Sequence, residues 1–165
     1  MTSGPPPFLF SAIGNGNNTV GYWLGDISSN KLIVAPKSTE TSLLSFGSVG
    51  TFTYTTSVTD GLSNTNTLAS FGTVAYPAAG YCKYLSTGGY NTWYLPAKDE
   101  LKSLYSNKSA TPFATANSFT AAAYWSSTEN NDYNVWQVAV NTGGAYGNAT
   151  KNSTRPLRAV RRSTI

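Results

Sequence analysis

Trp93-Tyr94-Leu95-Pro96-Ala97-Lys98-Asp99-Glu100-Leu101 joins a strand to a helix through a single proline. Trp93, Tyr94 and Leu95 have strand character. Pro96 ends the strand, because proline cannot donate to a ladder, and starts a helix, because its φ is preset for one. The helix is predicted from about Ala97 to Ser106, with Leu101, Leu104 and Tyr105 inward. Asp99 and Glu100 then lie near its positive end, where carboxylates are favoured.

Working outward, Tyr124-Trp125-Ser126-Ser127-Thr128-Glu129 sets two aromatics beside a run of hydroxyls. Leu157-Arg158-Ala159-Val160-Arg161-Arg162 alternates as a strand. Upstream, Gly21-Tyr22-Trp23-Leu24-Gly25-Asp26 and Lys31-Leu32-Ile33-Val34-Ala35-Pro36 read as two strands about a turn at Ser28-Ser29-Asn30. Tyr81-Cys82-Lys83-Tyr84-Leu85 and then Gly88-Gly89-Tyr90 lead into the first stretch. From about Thr19 to Arg162 the chain thus resembles the DUF1566 family, which includes the C-terminal domain of the Legionella collagen-like adhesin. The resemblance implies a C-type-lectin-like fold and a place among bacterial surface proteins and phage virion proteins. That family usually has Ser where this chain has Ala97. A Ser there would form a capping box with Glu100, and its absence costs at most about 1 kcal/mol. Glu100 is left to find another partner, for which Arg158 is the expected one.

The 165 residues fit one domain with one core. Charged residues are only 11 % and hydrophobic residues 40 %, so enough apolar area exists to offset ordering entropy. Ser, Thr, Asn and Gly supply the polar share, as in loop-rich extracellular or virion proteins. The net charge of +4 is local: no acid follows Asp132, whereas Lys151, Arg155, Arg158, Arg161 and Arg162 do. A basic tail suits nucleic acid, an anionic glycan or an acidic partner. The favoured reading is ion pairing beside a strand, since no aromatic-basic interleaving marks a nucleic-acid groove. Cys82 is alone in an apolar stretch and is expected to be a buried, inert thiol. The N-terminus lacks the basic and apolar regions of a secretory signal, as expected for a virion protein, and no apolar run is long enough for a membrane helix.

Residues 1–18 are expected to form an extended arm, and 19–165 the domain. Pro5-Pro6-Pro7 stiffens the arm, and Phe8, Leu9 and Phe10 are its expected assembly contacts. From Thr39 to Leu68 the chain is rich in Ser, Thr and Gly, with a weak strand expected at Thr51–Val58 and a turn at Asp60-Gly61. A first helix is expected from near Ala75 to Leu85, with Ala78, Tyr81, Cys82 and Leu85 on one stripe and Pro77 in its first turn. Short strands follow at Tyr124–Ser127, Val135–Val140 and Leu157–Arg162, separated by loops at Asn130–Asn134 and Asn141–Asn152. The predicted class is α+β and C-type-lectin-like: small antiparallel sheets, two helices and long irregular loops.

The absence of His removes the usual catalytic base and metal ligand, and the seven acids are scattered, so no enzymatic activity, cofactor or metal is expected. Formylglycine-generating enzymes share the fold class, but they need paired cysteines. Calcium-dependent lectins carry Glu-Pro-Asn or Gln-Pro-Asp with Trp-Asn-Asp, and none of these occurs here. Trp23, Trp93, Trp125 and Trp136 are expected in the core rather than as sugar platforms. Recognition is placed on the loops: Asn131, Asp132 and Tyr133 in one, Asn141, Tyr146 and Asn148 in the other. The expected protein is a virion structural or accessory component (tail fibre, decoration or collar). Its expected partners are other virion proteins or copies of itself, with a host-surface glycan or protein as the attachment target. The alternative is a bacterial surface adhesin whose Lys151 and arginines meet anionic glycans.

Overall fold

A computed structural model describes residues 12–15, 18–27, 30–107 and 118–164. Phe8, Leu9 and Phe10 lie outside the described residues, as does the side chain of Trp23. In chain order the strands and helices are β1 (Ala12–Asn15), β2 (Asn18–Ile27), β3 (Asn30–Val34), β4 (Thr41–Ser45), α1 (Gly61–Ser70), α2 (Pro77–Lys83), α3 (Lys98–Asn107), β5 (Ala123–Glu129), β6 (Asn134–Ala139), β7 (Ala145–Thr150), β8 (Thr154–Leu157) and β9 (Val160–Thr164). They form three antiparallel sheets, ordered β1-β2-β3-β9, β4-β8 and β5-β6-β7. The class is α+β, with three α-helices among the described residues rather than the two expected.

Strand periodicity sorts the interior into two clusters. Trp93 and Leu95 point into one, with Phe46, Leu68, Cys82 and Trp125. Tyr94, between them, points into the other, with Leu101, Leu104, Tyr124 and Val160. Leu32 and Val34 against Ile33 divide in the same way, because successive strand side chains face opposite sides. The Trp93–Leu95 segment is therefore a partition, held to β9 by reciprocal Tyr94–Val160 backbone hydrogen bonds of 2.8 and 3.0 Å.

Four expectations are corrected. The turn at Asp60-Gly61 starts α1: Asp60 Oδ1 accepts from the Ser63 N–H at 3.0 Å as an N-cap. Thr51–Val58 forms no strand; its backbone groups meet β5 and the Lys151 side chain instead. The expected loop Asn141–Asn152 contains β7, which puts Tyr146 and Asn148 on a strand. Leu157–Arg162 is two strands in different sheets, because Arg158 and Ala159 turn aside to bond Ala35. The segment read as an arm also contributes β1 to the first sheet.

Candidate functional site

The aromatic motifs are structural. Trp93 and Trp125 are fully buried, and their indole N–H groups donate to the Thr87 and Leu44 carbonyls. Ser126 donates to the Trp136 carbonyl, and Thr128 to that of Ser57, so the hydroxyls satisfy backbone ends. Trp136 departs from the expected core set: it is half-buried, with the Lys98 ammonium 4.6 Å from its ring centroid.

Three carboxylates are clamps. Glu100 Oε1 accepts from the Tyr94 hydroxyl at 2.7 Å and from Arg162 at 2.7 and 3.1 Å. Its Oε2 accepts from the Ala97 N–H at 2.8 Å and the Gly61 N–H at 3.1 Å. Half of the capping interaction thus survives without a Ser at 97, and the cation is Arg162, not the expected Arg158. A Cβ on Gly61 would stand 2.5 Å from Glu100 Oε2, so only glycine fits where α1 meets α3. Burial pushes the Glu100 carboxyl above its ordinary range, against the pull of the Ala97 N–H, Arg162 and Tyr94. Glu40 accepts from Lys37, Thr120, Tyr124 and Arg158. Glu129 binds Lys151 at 2.7 Å, with both side chains wholly buried. The C-terminal cations Lys151, Arg158 and Arg162 therefore have counter-ions within the fold. Burial also raises the Cys82 thiol, leaving it inert as expected.

The Lys151–Glu129 pair builds one end of the molecule. Lys151 Nζ also donates to the Thr51 carbonyl at 2.6 Å, and Glu129 Oε2 accepts from the Thr53 N–H at 2.8 Å. The Glu129 N–H donates to the Thr55 carbonyl. Thr53 and Thr55 face inward toward this charge, with their hydroxyls 3.1 Å apart, and Tyr54 is turned outward at 78 % exposure. Tyr54 has φ of +62°, the left-handed region that a bulky residue enters only when its surroundings force it. Its ring packs at a tilt of 44° against Phe52, with centroids 4.5 Å apart.

The neighbouring turn is braced to the same segment. The Gly50 N–H donates to the Asp132 carbonyl, and the Lys151 N–H to that of Tyr133. Asn131 Oδ1 accepts from the Tyr133 and Asn134 N–H groups and closes the turn. Tyr133 is 56 % exposed. Asn131, Asp132 and Tyr133 therefore come together in one turn, and the segment carrying Tyr54, absent from the sequence expectation, is hydrogen-bonded to this turn and to Glu129.

In the second expected group, Tyr146 and Asn148 lie two residues apart on one exposed face of β7, and Asn141 does not join the first group. The turn holding Asn141 lies at the other end of the six-residue β6, about 20 Å away at strand rise. Tyr146 is exposed but lies back over Gly144, and Asn148 accepts from Gln137 along the sheet.

Among the described residues no group of three or more His, Cys, Asp and Glu side chains could hold a metal ion, and no helix is long and apolar enough to cross a membrane. No curated protein matches the chain. Residues 51–161 match the family model for the Lcl C-terminal domain, a span that takes in all three helices, all of β5 to β8 and both motifs. The chain belongs to the Lcl C-terminal domain family, the one its aromatic motifs resemble.

Proposed function

We propose that this chain is a non-enzymatic attachment module, displayed on a surface and meeting its target through Tyr54, Asn131, Asp132 and Tyr133. The observation that supports this is Tyr54: a strained, exposed aromatic held in place by a buried ion pair. Apart from its contact with Phe52 that ring faces solvent, and glycine or asparagine would suit the backbone better. Tyr and Asn supply rigid contact area and adaptable hydrogen bonding. Membership of the Lcl C-terminal domain family supports a surface, adhesin-like role. The non-catalytic reading rests on the absence of His and on Glu40, Glu100 and Glu129 being held in clamps. We read the arrangement as C-type-lectin-like, supported by pairing of the early strand β3 with the last strand β9.

Display on a virion is the finer reading, supported by the low charge and the hydroxyl- and amide-rich composition. A bacterial cell-surface adhesin is the second reading, favoured by the family itself. Mass spectrometry of purified particles against a cell-envelope fraction separates the two by where the chain is found.

The attachment site is tested with labelled protein on target cells. Tyr54→Asn combined with Tyr133→Ala is expected to melt no lower than the parent, since Asn relieves the left-handed backbone, and to lose cell binding. A double variant that binds as well as the parent rules this end out as the attachment surface.

A further inference from the structure

We propose that Arg161 anchors a second site, one that takes a carboxylate from an acidic side chain of a docked polypeptide. Arg161 lies on β9 opposite Ile33, on the face that carries Trp93, and is only 6 % exposed. Its guanidinium carbon is 3.7 Å from the Tyr90 ring centroid and 5.7 Å from that of Trp93. Its Nε is buried without a hydrogen-bond partner. No carboxylate among the described residues reaches it, in contrast to Lys151, Arg158 and Arg162.

Taking a guanidinium out of water is costly, and cation–π contact with two rings returns only part of that cost. The rings also leave its in-plane N–H donors unanswered. A leucine or methionine would fill the same space without that cost, so packing alone does not explain an arginine here. Tyr90 covers the face of the guanidinium, and the in-plane donors of its edge, with Nε unpartnered, match a carboxylate in bidentate fashion. Gly88 and Gly89 turn the chain beside it with left-handed φ values of +70° and +78°, and nothing lies within 4 Å of where a Cβ on Gly89 would stand. The Tyr90 ring, 36 % exposed, is the side of the pair that meets solvent. The recessed head favours a carboxylate on a slim methylene stem, as in Glu or Asp. A ring-borne carboxylate is held off by the Tyr90 rim.

The test is the side-chain Nε–H resonance of Arg161 in protein carrying nitrogen-15 arginine, assigned by its loss in Arg161→Lys. Should that variant not fold, Tyr90→Leu, which alters the half-exposed ring above the guanidinium, shifts the same resonance and assigns it. Sodium propionate and N-acetylglutamate amide are titrated against sodium chloride at equal ionic strength, with D-glucuronate in parallel. The expected result is a saturable shift with the first two, none with chloride, and weaker binding of glucuronate. A signal that does not move, or that moves equally with chloride, overturns the site. Glucuronate binding as tightly as propionate overturns the polypeptide assignment and makes the occupant an acidic sugar.

Discussion

Glu100 shows how one side chain can join distant parts of a chain. Its two oxygens divide the work: Oε1 faces Tyr94 and Arg162, and Oε2 faces two backbone N–H groups that begin α1 and α3. Every neighbour is a donor, so the position requires an acceptor at both oxygens. Glu100→Gln keeps size and shape but must aim an NH₂ at one donor set. Facing Gly61 and Ala97 it leaves two buried N–H groups unsatisfied, and facing Arg162 it meets a cation. The expected cost is about 3 kcal/mol in urea denaturation, with Tyr94→Phe costing about 1 because only one hydrogen bond is lost. A Gln variant as stable as the parent would show that acceptor chemistry is not what the position demands. The need for a partner for Glu100 was legible from Ala97. The partner's identity was not, because Arg158 and Arg162 are on one alternating segment whose break at Arg158–Ala159 is made by Ala35, far away in sequence.

At the scale of elements, α1 was the helix the sequence concealed. Its buried positions Gly61, Asn64, Thr65 and Leu68 keep the i, i+3, i+4, i+7 spacing, but only Leu68 is apolar. Asn64 bonds the Ser57 carbonyl and Ser127, and Thr65 bonds Leu95 in both directions, so the inward face is hydrogen-bonded rather than greasy. Hydrophobic periodicity has nothing to detect in such a helix. The neighbouring 51–56 segment misleads in the opposite way: its alternation resembles a strand, yet the threonines face inward toward Glu129. This segment depends on the Lys151–Glu129 pair. Lys151→Met leaves Glu129 buried and uncompensated, with an expected loss of about 3–5 kcal/mol. Hydrogen exchange should show the Thr53 and Glu129 amides, which bond across this junction, opening more readily than the Val160 amide in the core. Equal acceleration at all three would mean that the pair supports the whole fold and not this end.

Across the whole molecule, charge is arranged for cohesion, and Glu40 supplies one pH-dependent part of it. Burial acts to raise the Glu40 carboxyl, but hydrogen bonds from Lys37, Thr120 and Tyr124 and the charge of Arg158 outweigh it and hold it below the ordinary range. A carboxyl depressed in the folded state stabilises above its unfolded value, about 4.3. That contribution is lost as pH falls through the lower folded value. In thermal melts across pH, the parent should exceed Glu40→Gln by most at neutral pH, and the gap should close below about pH 4. A gap that stays constant with pH would mean that Glu40 acts through shape and not charge.

The sequence by itself determined the class, the family and the two central motifs. Trp93, Tyr94, Tyr124 and Trp125 are large, apolar-bodied side chains whose strand alternation decides which core each one enters. It also pointed to ion pairs for some of the C-terminal cations, and Lys151, Arg158 and Arg162 have them. Tertiary structure alone decided which loop residues share a surface. β6 carries Asn141 away from Tyr133, and hydrogen bonds to Glu129, Lys151 and Asp132 tie the segment carrying Tyr54 to the neighbouring turn. Those relations join residues as much as 100 positions apart, as between Lys151 and Thr51. Local spacing cannot encode them, because they arise only when buried charges that cannot remain unpaired find their partners.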